Sequence, residues 1–84
     1  MHKKYFVYIV QCSDGTYYTG KTYAIEHRLK QHNGLLSGGA KYTTSRQPVI
    51  LVYQETCTNN KDACQREEAI KQLTRQQKEK LIGS

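Results

Sequence analysis

Apolar and aromatic residues concentrate in two short runs near the start of the chain, residues 6–10 and 17–20. The serine, aspartate and glycine at positions 13–15 between them are typical of a tight turn, so the pattern predicts a β-hairpin. A two-residue loop would place Tyr8 and Tyr18 on opposite faces. A three-residue loop with a left-handed Gly15 and a bulge pairs Val10 with Tyr18 and puts both phenols on one face. We predict the bulged loop.

The pattern after the hairpin predicts a helix and then a loop. Thr22 can cap a helix over residues 23–33, with Gly34 in the position that favours a left-handed C-terminal residue. Ile25 and Leu29 lie one helical turn apart and should face the core. Residues 35–46 are rich in glycine, serine and threonine, which favours a loop, with one helical turn near residues 38–41.

The apolar residues 49–53 directly after Pro48 predict a short buried strand. Asn59 or Asn60 can cap a second long helix that runs to about Leu73. Residues 74–77 resemble a capping box that opens a last short helix ending near residues 81–82. The order is therefore β-β-α-β-α-α. We expect an α+β fold with one small three-stranded, mainly antiparallel sheet flanked by helices, in a single domain over residues 1–84.

Charge adds to this picture because it is distributed unevenly. The chain has a formal net charge of +6, from 13 lysines and arginines and 7 acids. Up to Pro48 there are seven basic and two acidic residues, whereas the remainder has six and five. A concentrated positive surface on a small protein favours a polyanionic partner, with nucleic acid ahead of a membrane. The alternative is a solvated surface that only keeps the protein soluble.

Other classes of protein are disfavoured by the composition. The longest apolar run is too short to cross a bilayer, and the N-terminus lacks the cleavage site of a signal peptide. Cys12, Cys57 and Cys64 form no Cys-x-x-Cys pair, which disfavours structural zinc and a disulfide framework. We therefore expect a cytoplasmic protein whose cysteines are small core or half-buried residues without a chemical role.

One carboxylate of the second long helix falls among its apolar positions. At about 100° per residue, Glu67 lies about 40° from Ala63 and close to Ile70, whereas Glu68 falls at about 140°, on the solvent side. A carboxylate on a buried stripe is costly unless a cation or hydrogen-bond donors compensate it. Glu67 is therefore either half of a structural ion pair, or a metal ligand or catalytic acid in a cleft.

Basic residues on and before the first helix could supply the complementary charge. Arg28 and His32 are four positions apart and project from one face of the helix. An arginine can clamp a phosphate through two parallel donors, and a histidine can relay a proton or bind phosphate. Lys21 follows Gly20, where a phosphate could approach the backbone closely. The alternative is an ordinary solvated helix face.

Several segments occur in a fixed order and spacing, and together they resemble the GIY-YIG endonuclease superfamily, in particular its short, single-domain bacterial branch. They are Phe6-Val7-Tyr8, Tyr18-Thr19-Gly20-Lys21, Arg28-x-x-x-His32, Ala40-Lys41-Tyr42-Thr43, Arg46-x-Pro48-Val49 and Glu67. The resemblance spans residues 5–81. The name-giving triplets are Phe-Val-Tyr and Tyr-Thr-Gly here, and Ala24 replaces an acidic helix cap that is common in the family. A late asparagine of several family nucleases has no clear counterpart.

The resemblance implies an activity and a set of functional residues. The activity is metal-dependent endonucleolytic hydrolysis of phosphodiester bonds, in DNA ahead of RNA, with repair or recombination as its setting. Arg28 would hold the scissile phosphate, and Glu67 would bind one divalent ion, Mg²⁺ or Mn²⁺. The implied catalytic residues are Tyr8, Tyr18, Arg28, His32 and Glu67. The implied nucleic-acid contacts are Lys21, Lys41, Tyr42 and Arg46, although Tyr42 could instead pin its loop. Tyr5 and Tyr17 would pack on other faces or flank the site.

The chemistry of tyrosine sets one further expectation. An unperturbed tyrosine has a pKa near about 10, so a tyrosine base at neutral pH needs a depressed pKa or a proton relay. The positive charges of Lys21, Arg28 and the metal should lower the pKa and favour a phenolate at Tyr8 or Tyr18. His32 is the alternative base.

Two other functions compete with catalysis. A non-catalytic, basic nucleic-acid binder of the same fold would use the same cations as phosphate contacts and the tyrosines as stacking platforms, but Glu67 would repel phosphate. A protein-interaction module with incidental charge would show no salt-dependent affinity for nucleic acid. A domain this small contacts only a few base pairs, so specificity would come from nucleic-acid structure, a partner protein or self-association as a homodimer.

Overall fold

The computed structural model describes residues 4–83 and contains the predicted elements in the predicted order. The strands and helices are β1 (Tyr5–Gln11), β2 (Tyr17–Thr22), α1 (Ile25–His32), α2 (Lys41–Thr44), β3 (Ile50–Cys57), α3 (Asn60–Lys71) and α4 (Arg75–Gly83). The sheet is antiparallel throughout, with strand order β2-β1-β3. The α+β prediction is confirmed, with α2 as a one-turn helix inside the predicted loop.

The opening hairpin has the predicted three-residue loop. Gly15 has φ +84°, its N–H donates to the Cys12 carbonyl over 2.9 Å, and the Cys12 N–H donates to the Thr16 carbonyl over 2.8 Å. These bonds are those of a turn followed by a left-handed bulge residue. Val10 therefore pairs with Tyr18, as predicted.

Alternation along β1 builds two apolar layers on opposite faces of the sheet. Val7 and Ile9 belong to one layer, together with apolar residues of α3 and α4. Tyr8 belongs to the other layer, which includes Ile25 and Leu29 of α1 and confirms that these two residues face the core. The central strand is thus covered on both sides, and the predicted site residues of β1 and α1 share one layer.

Two boundaries near α1 and α2 differ from the prediction. α1 begins at Ile25 rather than at residue 23, because the Ala24 N–H donates to the Thr22 hydroxyl over 3.1 Å and the chain turns before the helix starts. Gly34 is left-handed after this helix, as predicted. The helical turn α2 covers residues 41–44 rather than 38–41, because Gly38 has φ +98°, which a right-handed helix cannot contain.

The later elements have the predicted caps but different lengths. β3 continues to Cys57, four residues beyond the prediction, because it pairs with β1 along its length. Asn59 is the cap of α3, since its side chain accepts from the Asp62 N–H over 2.8 Å, and this helix ends at residue 71 rather than at 73. Thr74 and Gln77 exchange hydrogen bonds of 2.9 and 3.1 Å, which confirms the predicted capping box of α4.

The cysteines and the helix lengths bear on the protein classes considered above. Cys12 is buried, whereas Cys57 and Cys64 are half-buried, which matches their interpretation as small core or half-buried residues. Within residues 4–83 no helix has the length and apolar character needed to cross a membrane.

Candidate active site

A fully buried histidine connects the sheet to the short helix α2. His32 is the last residue of α1 and has no exposed surface. Its Nε2 lies 2.7 Å from the Tyr8 hydroxyl, and its Nδ1 lies 2.7 Å from the Thr43 hydroxyl. Both ring nitrogens therefore have a hydrogen-bond partner inside the protein.

The Thr43 hydroxyl determines the direction of these two bonds. It donates its hydrogen to the Ala40 carbonyl over 3.0 Å, so it can only accept a hydrogen bond from His32. Nδ1 of His32 must then carry the ring hydrogen, and Nε2 is the bare nitrogen that accepts from the Tyr8 phenol. The structure thus places an unprotonated imidazole nitrogen next to the Tyr8 hydroxyl.

Burial keeps both partners of this hydrogen bond neutral. It lowers the pKa of His32 to about 4, and the charge of Arg28 acts in the same direction. It raises the pKa of Tyr8 to about 12, although the Arg28 guanidinium opposes this shift. The expectation of a phenolate favoured by neighbouring cations is therefore wrong for Tyr8, because removal of the phenol from water outweighs the nearby positive charge.

Tyr18 and Tyr42 extend the site towards the surface. The Tyr18 ring meets the His32 ring edge-on, with centroids 5.3 Å apart, and Tyr42 stacks on Tyr18 with centroids 5.9 Å apart. Tyr8 and Tyr18 therefore both contact His32 from one face of the sheet, as the bulged hairpin predicts. Tyr42 is 38% exposed, so it both supports Tyr18 and presents an accessible ring.

Gly20 makes room for the Tyr8 ring. The two residues pair across the hairpin, and a Cβ at position 20 would lie 2.5 Å from the Tyr8 oxygen and 2.7 Å from its Cζ. The glycines with positive φ in the described part of the chain lie elsewhere, so Gly20 is needed for space rather than for an unusual backbone conformation.

Arg28 and Lys21 line a common cleft of about 340 Å³. The Lys21 ammonium donates to the Asn60 side-chain oxygen over 3.0 Å, which fixes it at the start of α3. Arg28 interacts in turn with the phenol of Tyr8. Two cations therefore border a cleft next to the buried pair of Tyr8 and His32.

Glu67 approaches from the helix that packs on the opposite face of the sheet. Its side chain is 16% exposed, and its carboxylate lies 3.7 Å from the Lys71 ammonium one helical turn away. Its negative charge raises the pKa of Tyr8, so the carboxylate is within electrostatic range of the phenol. Glu67 faces inwards, as predicted, and the structural ion pair that competed with a functional role is present only as a loose contact with a half-exposed lysine.

A lone carboxylate of this kind fits a hard divalent cation that keeps most of its water. Within residues 4–83 no group of three or more His, Cys, Asp or Glu side chains converges. Mg²⁺ often binds through one or two carboxylates, water molecules and a substrate phosphate, rather than in a cage of protein ligands. Glu67 is compatible with that kind of site.

The other predicted nucleic-acid contacts differ in their accessibility. Lys41 is exposed at the start of α2. Arg46 is bound within the protein: its Nε pairs with the Asp14 carboxylate at 3.1 Å, its Nη1 donates to the Tyr42 carbonyl over 2.9 Å, and its guanidinium lies 3.9 Å from the Tyr42 ring centre. The structure thus brings Tyr8, Tyr18, His32 and Tyr42 into contact and places Arg28, Lys21 and Glu67 around them. Lys41 stands apart.

Two residues of the site have no functional role in the sequence-based prediction. Thr43 is named there only as part of the family-like segment 40–43, and its burial, in contrast to the exposed Thr44, is visible only in the fold. Asn60 is predicted only as a possible helix cap, but its side chain holds Lys21. Tyr17 packs in the opposite layer, whereas Tyr5 packs there and also lines the cleft of Lys21 and Arg28.

Comparison with known proteins identifies the same domain. The model of the GIY-YIG catalytic domain family matches residues 4–80. A UPF0213 protein of Desulfotalea psychrophila is 54% identical over 78 residues, which cover 93% of this chain and 70% of that protein. A UPF0213 protein of Staphylococcus epidermidis is 53% identical over 79 residues, which cover 94% of each.

Solved structures agree with this match. The solution NMR structure of a UPF0213 protein from Bacillus halodurans has 38% identity and a TM-score of 0.60, covering 95% of this chain and 83% of that one. The solution NMR structure of a protein from E. faecalis has 38% identity and a TM-score of 0.65, and the match covers 99% of this chain and 88% of that one. The fold is that of a small α+β domain, and the family model identifies it as a GIY-YIG catalytic domain. The chain belongs to the GIY-YIG family, a nuclease family that interacts with nucleic acid and generally uses a divalent metal.

Proposed function

We propose that this protein is an endonuclease that hydrolyses phosphodiester bonds in nucleic acid, DNA ahead of RNA, with the help of one divalent ion. The observation that supports it most strongly is the buried line of hydrogen bonds from Tyr8 through His32 to Thr43, next to Arg28. Buried polar groups are costly unless they are fully paired, and this line is paired with one fixed direction. It is suited to moving a proton.

The nucleophilic water must lose a proton, and the Tyr8–His32 pair offers a route for it. The Tyr8 oxygen accepts a proton from water while its own hydrogen passes to Nε2 of His32. Because the raised pKa keeps Tyr8 protonated at neutral pH, it acts as the carrier in this relay rather than as a preformed base. A bound phosphodiester anion raises the pKa of His32 and partly neutralises Arg28, and both effects favour the transfer.

Arg28 and Lys21 supply positive charge for the phosphate. A guanidinium can donate two parallel hydrogen bonds to phosphoryl oxygens, and such bonds strengthen as those oxygens gain charge in the transition state. Lys21 acts as a point charge on the same cleft. Tyr18, Tyr42 and Lys41 contact the neighbouring nucleotides, and Arg46 supports the Tyr42 ring.

Glu67 is the residue that would hold the divalent ion, Mg²⁺ or Mn²⁺. When bound, the ion would supply positive charge that stabilises the departing 3′ oxygen. Cleavage of the bond between phosphorus and this oxygen leaves a 5′ phosphate and, after protonation from solvent, a 3′ hydroxyl. DNA repair or recombination is the setting in which we place this reaction.

The test is cleavage of a panel of end-labelled DNA and RNA structures by the purified protein, with Mg²⁺, with Mn²⁺ and with chelator. Glu67→Gln and Arg28→Ala should each lower the cleavage rate by about 10²-fold or more, because each removes charge stabilisation from the transition state. The matched controls are Glu68→Gln, an exposed neighbour of Glu67, and Lys30→Ala on the exposed side of α1. Both should cleave at the unmodified rate.

The possible outcomes separate the competing functions. Cleavage that survives both Glu67→Gln and Arg28→Ala would exclude this site. Tight, salt-dependent binding without cleavage by the unmodified protein would indicate a non-catalytic nucleic-acid binder. A lack of any salt-dependent binding would favour a protein-interaction module.

A further inference from the structure

The loop between α1 and α2 displays two adjacent leucines. Leu35 is 73% exposed and Leu36 is 40% exposed. The loop has a defined shape, because the N–H groups of both leucines donate to the Lys30 carbonyl, over 2.8 and 3.3 Å, and Gly34 and Gly38 adopt positive φ on either side. An apolar pair held out on a fixed loop is a candidate contact surface.

This loop is bonded to the arginine that faces the cleft. Nη1 of Arg28 donates to the Gly38 carbonyl over 2.8 Å and to the Gln31 side-chain oxygen over 3.0 Å. The amide nitrogen of Gln31 donates in turn to the Ser37 carbonyl over 3.0 Å. The two leucines therefore lie on the segment whose Gly38 carbonyl positions Arg28.

The charge of the residues around the loop indicates which kind of molecule can bind over the two leucines. Between Glu26 and Glu55 the chain contains no acidic residue but four cationic ones, Arg28, Lys30, Lys41 and Arg46. Arg46 is paired with Asp14, but Arg28, Lys30 and Lys41 have no carboxylate of their own segment to neutralise them. An apolar pair on such a segment suits a partner that is anionic and also offers an apolar face. Nucleic acid has both properties, in its phosphates and in the faces of its bases.

We propose that Leu35 and Leu36 pack against the faces of unstacked bases beside the scissile phosphate, so that the substrate is a nucleic acid with an interrupted stack, such as a nick, a bulge or a single-strand branch. This inference rests on the proposed function, because Arg28 defines where the phosphate lies. Stacking covers the base faces of an intact duplex, so the leucines could reach them only by forcing a step apart. A pre-existing interruption removes that cost.

Binding in chelator tests the inference without cleavage. A labelled duplex is compared with the same duplex carrying a central nick or a short bulge, and 2-aminopurine beside the interruption reports unstacking by its fluorescence. The unmodified protein should bind the interrupted duplexes about tenfold more tightly than the intact one, as expected for burial of leucine side chains. Combined Leu35→Ser and Leu36→Ser substitutions should remove most of this preference and the fluorescence change. Leu35→Met should retain them.

The control is Ile50→Ser, which removes a similarly exposed side chain (64%) at the start of β3, outside the loop. It should leave the preference unchanged. The inference is overturned if the double serine variant keeps the preference, or if it loses affinity equally for intact and interrupted duplexes. Leucine-dependent binding to anionic lipid vesicles without an effect on nucleic acid would overturn it in favour of a membrane surface.

Cleavage by the same variants separates this inference from the proposed function. In one outcome the unmodified protein cleaves, and the serine variant cleaves the same substrates in the same order of preference. That result would support the nuclease proposal and show that the role proposed for the leucines is wrong. If neither cleaves but binding to interrupted duplexes depends on the leucines, only the nuclease proposal fails. If the protein binds no nucleic acid, both fail.

Discussion

The Tyr8 hydroxyl donates its hydrogen to Nε2 of His32 over 2.7 Å, and a threonine on another element sets this direction. Thr43 accepts from Nδ1 of His32 because its own hydrogen is used by the Ala40 carbonyl. Three neutral side chains from β1, α1 and α2 therefore form one line in which each bond depends on the next.

Replacing Tyr8 with phenylalanine should strongly slow cleavage and leave the fold intact. Phenylalanine keeps the ring next to Gly20 but removes the hydroxyl that we propose as proton carrier, so we expect the cleavage rate to fall by about 10²–10⁴-fold. It also leaves a buried ring nitrogen of His32 without a donor, at a cost of about 1–3 kcal/mol in the free energy of unfolding. Single-turnover cleavage and urea unfolding measure the two effects. Tyr17→Phe, in the opposite layer, should leave the cleavage rate unchanged, and an active Tyr8→Phe enzyme would contradict the relay.

Thr43→Val should impair catalysis through the histidine ring. Valine keeps the shape of the side chain but removes the acceptor for Nδ1, so His32 can adopt the other tautomer and present an N–H to Tyr8. That tautomer cannot take the phenolic proton, and we expect kcat to fall at least about tenfold. Nitrogen NMR of the His32 ring reports the tautomer directly, which a merely structural loss would not change.

Two further variants define the controls for Thr43. Thr43→Ser restores the hydroxyl and should recover both the tautomer and most of the rate. Thr44→Val alters an exposed neighbour and should change neither. If Thr43→Val keeps the original tautomer and the full rate, then Thr43 does not position His32.

His32 should make the fold less stable in mild acid. Its pKa is about 4 in the folded protein, against a usual value of 6.5. Between these two values the unfolded chain binds a proton at His32 and the folded chain does not, so the free energy of unfolding decreases as the pH falls. The contribution of this group is fully present above pH 6.5 and amounts to about 3 kcal/mol, which is lost by the time the pH reaches about 4.

Urea unfolding at a series of pH values measures this slope. His32→Gln should flatten it between neutral pH and the acid end of the window, whereas His27→Gln, at an exposed position of the same helix, should not. An equal slope in the unmodified protein and in His32→Gln would mean that His32 is protonated in the folded state, and the assignment of a bare Nε2 would fail.

The parts of the fold that could be predicted from sequence are those that short-range patterns determine. The loop over residues 13–15 sets the register of the hairpin through backbone geometry alone, and the capping box of Thr74 and Gln77 needs only four residues. The position of α2 could not be predicted, because residues 35–46 have no hydrophobic period. Only tertiary contacts, such as the bond between His32 and Thr43, distinguish the residues that become helical there.

In the candidate site, too, local features could be predicted from the sequence and tertiary contacts could not. The spacing of Arg28 and His32 places them on one helix face because a helix is a local structure, whereas the resemblance to the family is what nominates Tyr8. The direction of the Tyr8 pKa shift could not be predicted from the sequence. The sequence shows the nearby cations but not the burial of the phenol in a layer built from distant strands and helices. Thr43 is hidden from a sequence pattern for the same reason.

Gly20 allows the Tyr8 ring to lie close against the sheet. Gly20→Ala would place a methyl group 2.5 Å from the Tyr8 oxygen and 2.7 Å from Cζ, so the ring must move. Because Tyr8 is only 1% exposed, we expect overpacking to cost about 1–3 kcal/mol in the free energy of unfolding. The displacement should also lengthen the bond to His32 and lower the cleavage rate. Gly83→Ala, where a Cβ would meet nothing within 4 Å, is the matched control and should be neutral. A Gly20→Ala protein with unchanged stability and rate would show that the ring has room to shift, and that its hydroxyl need not stay where this structure places it.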